Sequence, residues 1–122
     1  MQHQAAVAYQ ATAKTVESPR DREAALLIRS AAAMQNLRDN WPSDFEQLRS
    51  GLTFNRKLWT IFMASATKDD NPLPAPLRQN IANLGMFILN ETREILLDPV
   101  APSRLDPLIN INRQLAAGLR GN

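Results

Sequence analysis

The stretch SDFEQLRSGLTFNRKLWTIFMASA, Ser43 to Ala66, decides the fold. Phe45, Leu48, Leu52, Trp59, Phe62, Met63 and Ala66 recur at helical spacing and lie on one broad face. Phe54, Leu58 and Ile61 add a second apolar face. A helix apolar over so much of its circumference belongs at the centre of a bundle. Ser43 with Glu46 three residues later is a capping box and predicts the start. Gly51 costs about 1 kcal/mol relative to alanine and predicts a bend or short break. Five of the seven aromatic residues fall between Trp41 and Phe62, which centres the core here.

Upstream, Ser18-Pro19-Arg20-Asp21 reads as a cap, a first helical proline and an acid in the first turn. Ala24, Leu27, Ile28, Ala31 and Met34 then form a stripe, widened by Leu26, Ala33 and Leu37, that ends near Asn40. Downstream, the turn-rich run from Lys68 to Pro76 predicts a connector, with Pro74 or Pro76 opening the next helix. Leu77, Ile81, Leu84, Ile88 and Ile95 mark that helix, and Asp98-Pro99 stops it. A last helix is predicted from Asp106-Pro107, with aspartate as cap and Leu108, Ile109, Leu115, Ala116 and Leu119 inward. Valine occurs only three times and no segment alternates as a strand does, so the fold class is all-α: a compact bundle of four main helices. Residues 18–122 form the single helical domain; residues 1–17, rich in Ala and Gln, read as an arm that is either an additional helix or ordered only against a partner.

Composition narrows function. The 122 residues include 17 Ala, 16 Leu and no Cys, which excludes disulfides, thiolate nucleophiles and zinc–thiolate sites. The one histidine, His3, makes a Ser–His–Asp triad or a two-histidine metal site nearly impossible. Asp69-Asp70 lie adjacent in a loop, and Glu91 and Glu94 lack neutral co-ligands, so both pairs read as solvated charge. No glycine-rich phosphate loop is present, and the chain is expected to be no enzyme, with no cofactor and no metal. The longest apolar run is five residues, Ala24 to Ile28, against the roughly 20 a membrane span needs. No basic patch followed by an apolar stretch marks a signal peptide, which predicts a cytoplasmic location. Lys and Arg total 14 and Asp and Glu 12; the cations alternate with acids (Arg20-Asp21-Arg22-Glu23) and do not cluster as nucleic-acid binding requires.

Two features are unlike a generic bundle. Asn55, Asn80, Asn83 and Asn112 sit inside strong helical patterns, where asparagine is mediocre. Either Asn55, Asn80 and Asn112 bond to one another or to loop backbones, or they meet a partner. Gly85 sits mid-helix, which predicts close approach of another element, with the Trp59 ring the expected neighbour. Trp59, Phe62 and Met63 also read as a groove for a partner helix, opened when the arm moves away.

Four blocks in order resemble the FlaF family of flagellar biosynthesis regulators of alphaproteobacteria. They are Ser18-Pro19-Arg20 with Glu23; Asn55-Arg56-Lys57-Leu58-Trp59-Thr60; Leu73-Pro74, Leu77-Arg78-Gln79-Asn80-Ile81 and Leu84-Gly85; and Leu108-Ile109, Ile111-Asn112 and Gly118-Leu119. The resemblance covers residues 18–120, and Tyr9 alone extends it into the arm. It implies a non-enzymatic protein that binds unassembled flagellin as a secretion chaperone and couples flagellin synthesis to export, acting with the regulator FlbT. Phe54, Asn55, Arg56, Leu58, Trp59, Phe62, Arg78, Asn80 and Asn112 are the candidate partner-binding residues, with Gly85 and Pro74 structural. The alternative is an RNA-binding regulator of flagellin mRNA translation, motivated by eleven arginines.

Overall fold

A computed structural model describes residues 18–42 and 44–121. The predicted arm, 1–17, and Ser43 lie outside the described residues. Helix α1 spans Pro19–Asp39: the Ser18 hydroxyl accepts the Asp21 N–H at 3.1 Å, and Pro19 needs no partner for the amide hydrogen it lacks. Its buried residues step by threes and fours, Ala24, Leu27, Ser30, Ala31, Met34 and Leu37. Leu26, Ile28 and Ala33, expected within or beside this stripe, fall off it and are exposed.

Helix α2 spans Phe45–Ala66, and Asp44 occupies the cap, its carboxylate accepting the Glu46 N–H at 3.3 Å. The predicted cap at Ser43 is therefore displaced by one residue. Arg49 reaches back to Glu46 at 2.6 Å, and this guanidinium holds the Glu46 carboxyl below the usual carboxylate range. The helix runs through Gly51 without a break. Leu48, Leu52, Asn55, Leu58, Trp59, Phe62 and Ala66 are buried; Phe45, placed on the broad face by its spacing, is exposed, and of the second apolar face only Leu58 is covered while Phe54 and Ile61 are exposed.

Helix α3 spans Ala75–Leu97. Pro74 stands at its cap and its carbonyl accepts the N–H groups of Leu77 and Arg78, both at 3.0 Å. Ile81, Gly85, Ile88, Thr92 and Ile95 make its buried stripe, while Leu77 and Leu84 are half-buried. A 3₁₀ turn over Pro102–Leu105 leads directly into α4, Asp106–Leu119. Asp106 is not the cap that spacing predicts. It is the first helical residue, with no capping bond, and its carboxylate takes the Nε and Nη2 of Arg38 on α1.

The described residues form an all-α bundle of four helices. Helix α1 packs most extensively on α4 and also on α2; α3 packs chiefly on α2. Leu27 and Met34 of α1, Leu52 and Trp59 of α2, Ile88 and Ile95 of α3, and Leu108 and Ile109 of α4 are buried in one core. No described helix is long and apolar enough to cross a membrane.

Candidate partner-binding site

Helix α2 carries Asn55-Arg56-Lys57-Leu58-Trp59-Thr60, and the structure divides this motif by direction. Asn55 and Trp59, four residues apart, point inward and are fully buried. The Asn55 Oδ1 accepts two donors: the Ser30 hydroxyl of α1 at 2.9 Å and the Asn112 Nδ2 of α4 at 2.7 Å. Asn112 Nδ2 also approaches the Leu27 carbonyl of α1 at 3.3 Å, and its Oδ1 accepts the Trp59 indole N–H at 2.9 Å. One buried network thus joins α1, α2 and α4. Buried amides left without partners are costly, so this set fixes which turn of each helix meets which. Asn55 Nδ2 and the Thr92 Oγ1 of α3 are buried without a partner.

Asn55 and Asn112 therefore bond to each other, as one of the two sequence readings has it, but Asn80 is exposed and does not join them. Asn83 is exposed too and pairs with Gln79 along its own helix at 3.1 Å. Sequence reasoning missed Ser30; the available signal was a serine breaking the apolar stripe of α1. Gly85 does mark a close approach, but the neighbour is Met63. A Cβ on Gly85 would stand 2.2 Å from the Met63 Sδ and 2.4 Å from its Cγ. Trp59 is unavailable for that role because its indole is tied to Asn112 and meets Phe62 edge-on, with ring centroids 6.1 Å apart.

The outward half of the motif helix is different. Phe54, Leu58 and Ile61 share one flank of α2 at spacings of four and three. Leu58 is buried, whereas Phe54 is 39% and Ile61 64% exposed. The same flank carries Gly51, where a Cβ would stand 2.8 Å from Leu37 of α1. On α1, Leu26 lies four and eleven residues before Ser30 and Leu37, the residues that meet α2, and it is 38% exposed. Helical spacing therefore places Leu26 on the α1 flank, and Phe54, Leu58 and Ile61 on the α2 flank, of the outer seam between these helices; the groove along that seam is lined by Ala33, Asn36, Leu37, Gln47, Ser50 and Gly51. Arg56 is exposed on the other side of α2, whereas Lys57 is exposed beside Phe54, with which it lines a shallow surface pocket. Arg78 is half-buried on α3; its Nη1 donates to the Lys68 carbonyl at 3.4 Å, and its Nε is enclosed without a partner.

A cavity of about 220 Å³ opens at the end of the bundle where α1 begins and α2 and α4 finish. Phe62, Ala66, Leu73, Ile81, Leu115 and Leu119 supply apolar wall, and Arg20, Glu23, Ser65 and Asn71 supply polar groups. Partial burial pushes the Glu23 carboxyl above the usual carboxylate range, against the lowering pull of Arg20 and Arg22. Glu91 pairs with Arg104 at 3.4 Å and Glu94 with Arg93 at 3.3 Å. Among the described residues no three His, Cys, Asp or Glu gather as metal ligands would.

No curated protein and no solved structure matches the chain. The family model of the flagellar protein FlaF matches residues 5–119, which takes in the whole described bundle but for its last two residues and begins thirteen residues before Ser18, where the motif resemblance starts. Four ordered motif blocks, one to each helix, the second and fourth joined in space by the Asn55–Asn112–Trp59 network, and a match over nearly the full length agree: the chain belongs to the FlaF family of flagellar proteins.

Proposed function

We propose that this protein is a non-catalytic, cytoplasmic chaperone of unassembled flagellin that couples flagellin synthesis to export, with FlbT as a regulatory partner. Membership of a flagellar family supports the flagellar setting. The observation that carries the binding role is the exposed apolar seam of Leu26, Phe54 and Ile61 around Leu58, on the helix that bears the family motif. An amphipathic segment that is disordered before assembly can fold onto such a strip, with apolar side chains at helical spacing as anchors. Occupied and free forms would then present different surfaces to FlbT, which links export to synthesis.

Of the candidate residues, Phe54 and Leu58 stand at the seam. Asn55, Trp59 and Asn112 act through the fold, because they are buried and bonded internally. The RNA-binding reading is disfavoured: Arg38, Arg49, Arg93 and Arg104 each face a carboxylate. Gel filtration of the protein with flagellin at micromolar concentration tests the proposal. The two should co-elute, and Phe54→Asp with Ile61→Asp should abolish co-elution while the melting temperature stays within a few degrees of wild type. Failure of the wild-type pair to co-elute overturns the chaperone reading.

A further inference from the structure

The end cavity has features of a built receptor for one side chain. Its volume of about 220 Å³ lies below the roughly 300–1,000 Å³ of small-molecule sites. Phe62, Leu115 and Leu119 make its wall apolar, and Glu23 stands at it with no hydrogen bond from any described residue. A fitting occupant has an apolar body and a donor at its tip. Pro19 also forms part of the wall, so residues 1–17 join the described structure at the cavity rim. Within 1–17, Tyr9 alone combines an aromatic ring with an O–H donor. Nine residue steps separate it from Ser18, a reach of up to about 30 Å. The family match begins at residue 5, so Tyr9 belongs to the same pattern as the bundle.

We propose that Tyr9 docks in the end cavity of its own chain, its ring against Phe62, Leu115 and Leu119 and its phenol O–H donating to the Glu23 carboxylate. The contact fastens the N-terminal segment to the ends of α1, α2 and α4. It also supplies the half-buried Glu23 with a donor, which offsets part of the cost of its partial burial. Flagellin binding at the α1–α2 seam plays no part in it, so the two proposals stand or fall separately.

Nuclear Overhauser spectroscopy on the isotope-labelled full chain tests it. Cross-peaks are expected between the Tyr9 ring protons and the methyls of Leu115 and Leu119. Tyr9→Ala should lower the melting temperature by about 4–8 °C. Tyr9→Phe should lower it by less, and that smaller shift should vanish in a Glu23→Ala background. Absence of the cross-peaks, cross-peaks from Val7 in place of Tyr9, or cross-peaks seen only between differently labelled copies each overturns the proposal.

Discussion

The Asn55 side-chain oxygen is the acceptor on which two helices depend. Asn55→Ala would strand the Ser30 hydroxyl and one Asn112 N–H in the core, and we expect a loss of about 1–3 kcal/mol, read from urea unfolding. Asn112→Ala would orphan the Trp59 indole, and the double variant should cost less than the two single losses added, because both delete one network. Additive losses would mean that the residues act independently. At this scale the sequence was informative about kind and uninformative about place. Asparagines inside helices announced interhelical bonding, but Asn55, Asn80 and Asn112 look alike until it is known which face of each helix meets a neighbour. Asn80 lies on the solvent side of α3 and so drops out. Ser30 enters only because α1 turns it toward Asn55.

Between elements, the contact of α2 with α3 rests on Gly85. Alanine is intrinsically the better helix former by about 1 kcal/mol. Even so, Gly85→Ala should destabilise by about 1–3 kcal/mol, since its Cβ would overlap both Sδ and Cγ of Met63. Gly51→Ala should cost less or stabilise, because it meets only the terminal Cδ1 of Leu37, which can swing aside. Thermal melts of the two variants give the comparison, and equal losses would contradict it. Helix boundaries were legible because their causes are local: Ser18 and Pro19 open α1, Pro74 and Pro76 open α3, and Asp98 closes it. Asp106 was misread because an aspartate before proline at a helix start suits a cap equally well. What decides is Arg38, 68 residues away, which claims the carboxylate. The same reasoning explains Gly85, whose need for a close neighbour is readable but whose neighbour depends on how α3 registers against α2.

Over the whole molecule, the helices are not equally secured. Buried hydrogen bonds tie α1, α2 and α4 together, whereas α3 is held chiefly by packing on α2 and its one buried polar side chain, Thr92, has no partner. Opening of α3 should therefore need less free energy than opening of α1 or α4, and its amides should exchange with deuterium faster than those of the Ala24–Leu37 and Leu108–Leu119 stretches. Uniform protection across the four helices would refute this. The all-α architecture followed from periodicity and proline spacing, but neither the seam nor the end cavity could. The cavity wall draws on Glu23, Phe62, Leu73, Ile81 and Leu115, which are far apart in the chain and become neighbours only through packing. The seam depends on which flank of α2 the bundle leaves uncovered.

The two tryptophans give this arrangement an optical consequence. Trp59 is fully enclosed and its indole nitrogen is fixed to Asn112; Trp41 is half-buried in the turn between α1 and α2. One fluorophore is thus shielded from dissolved quenchers and reports on the integrity of the interior, while the other is within their reach and reports on a loop. Light emitted by an unlabelled sample already carries two separable signals, so core loosening and surface events can be followed in one cuvette without a dye.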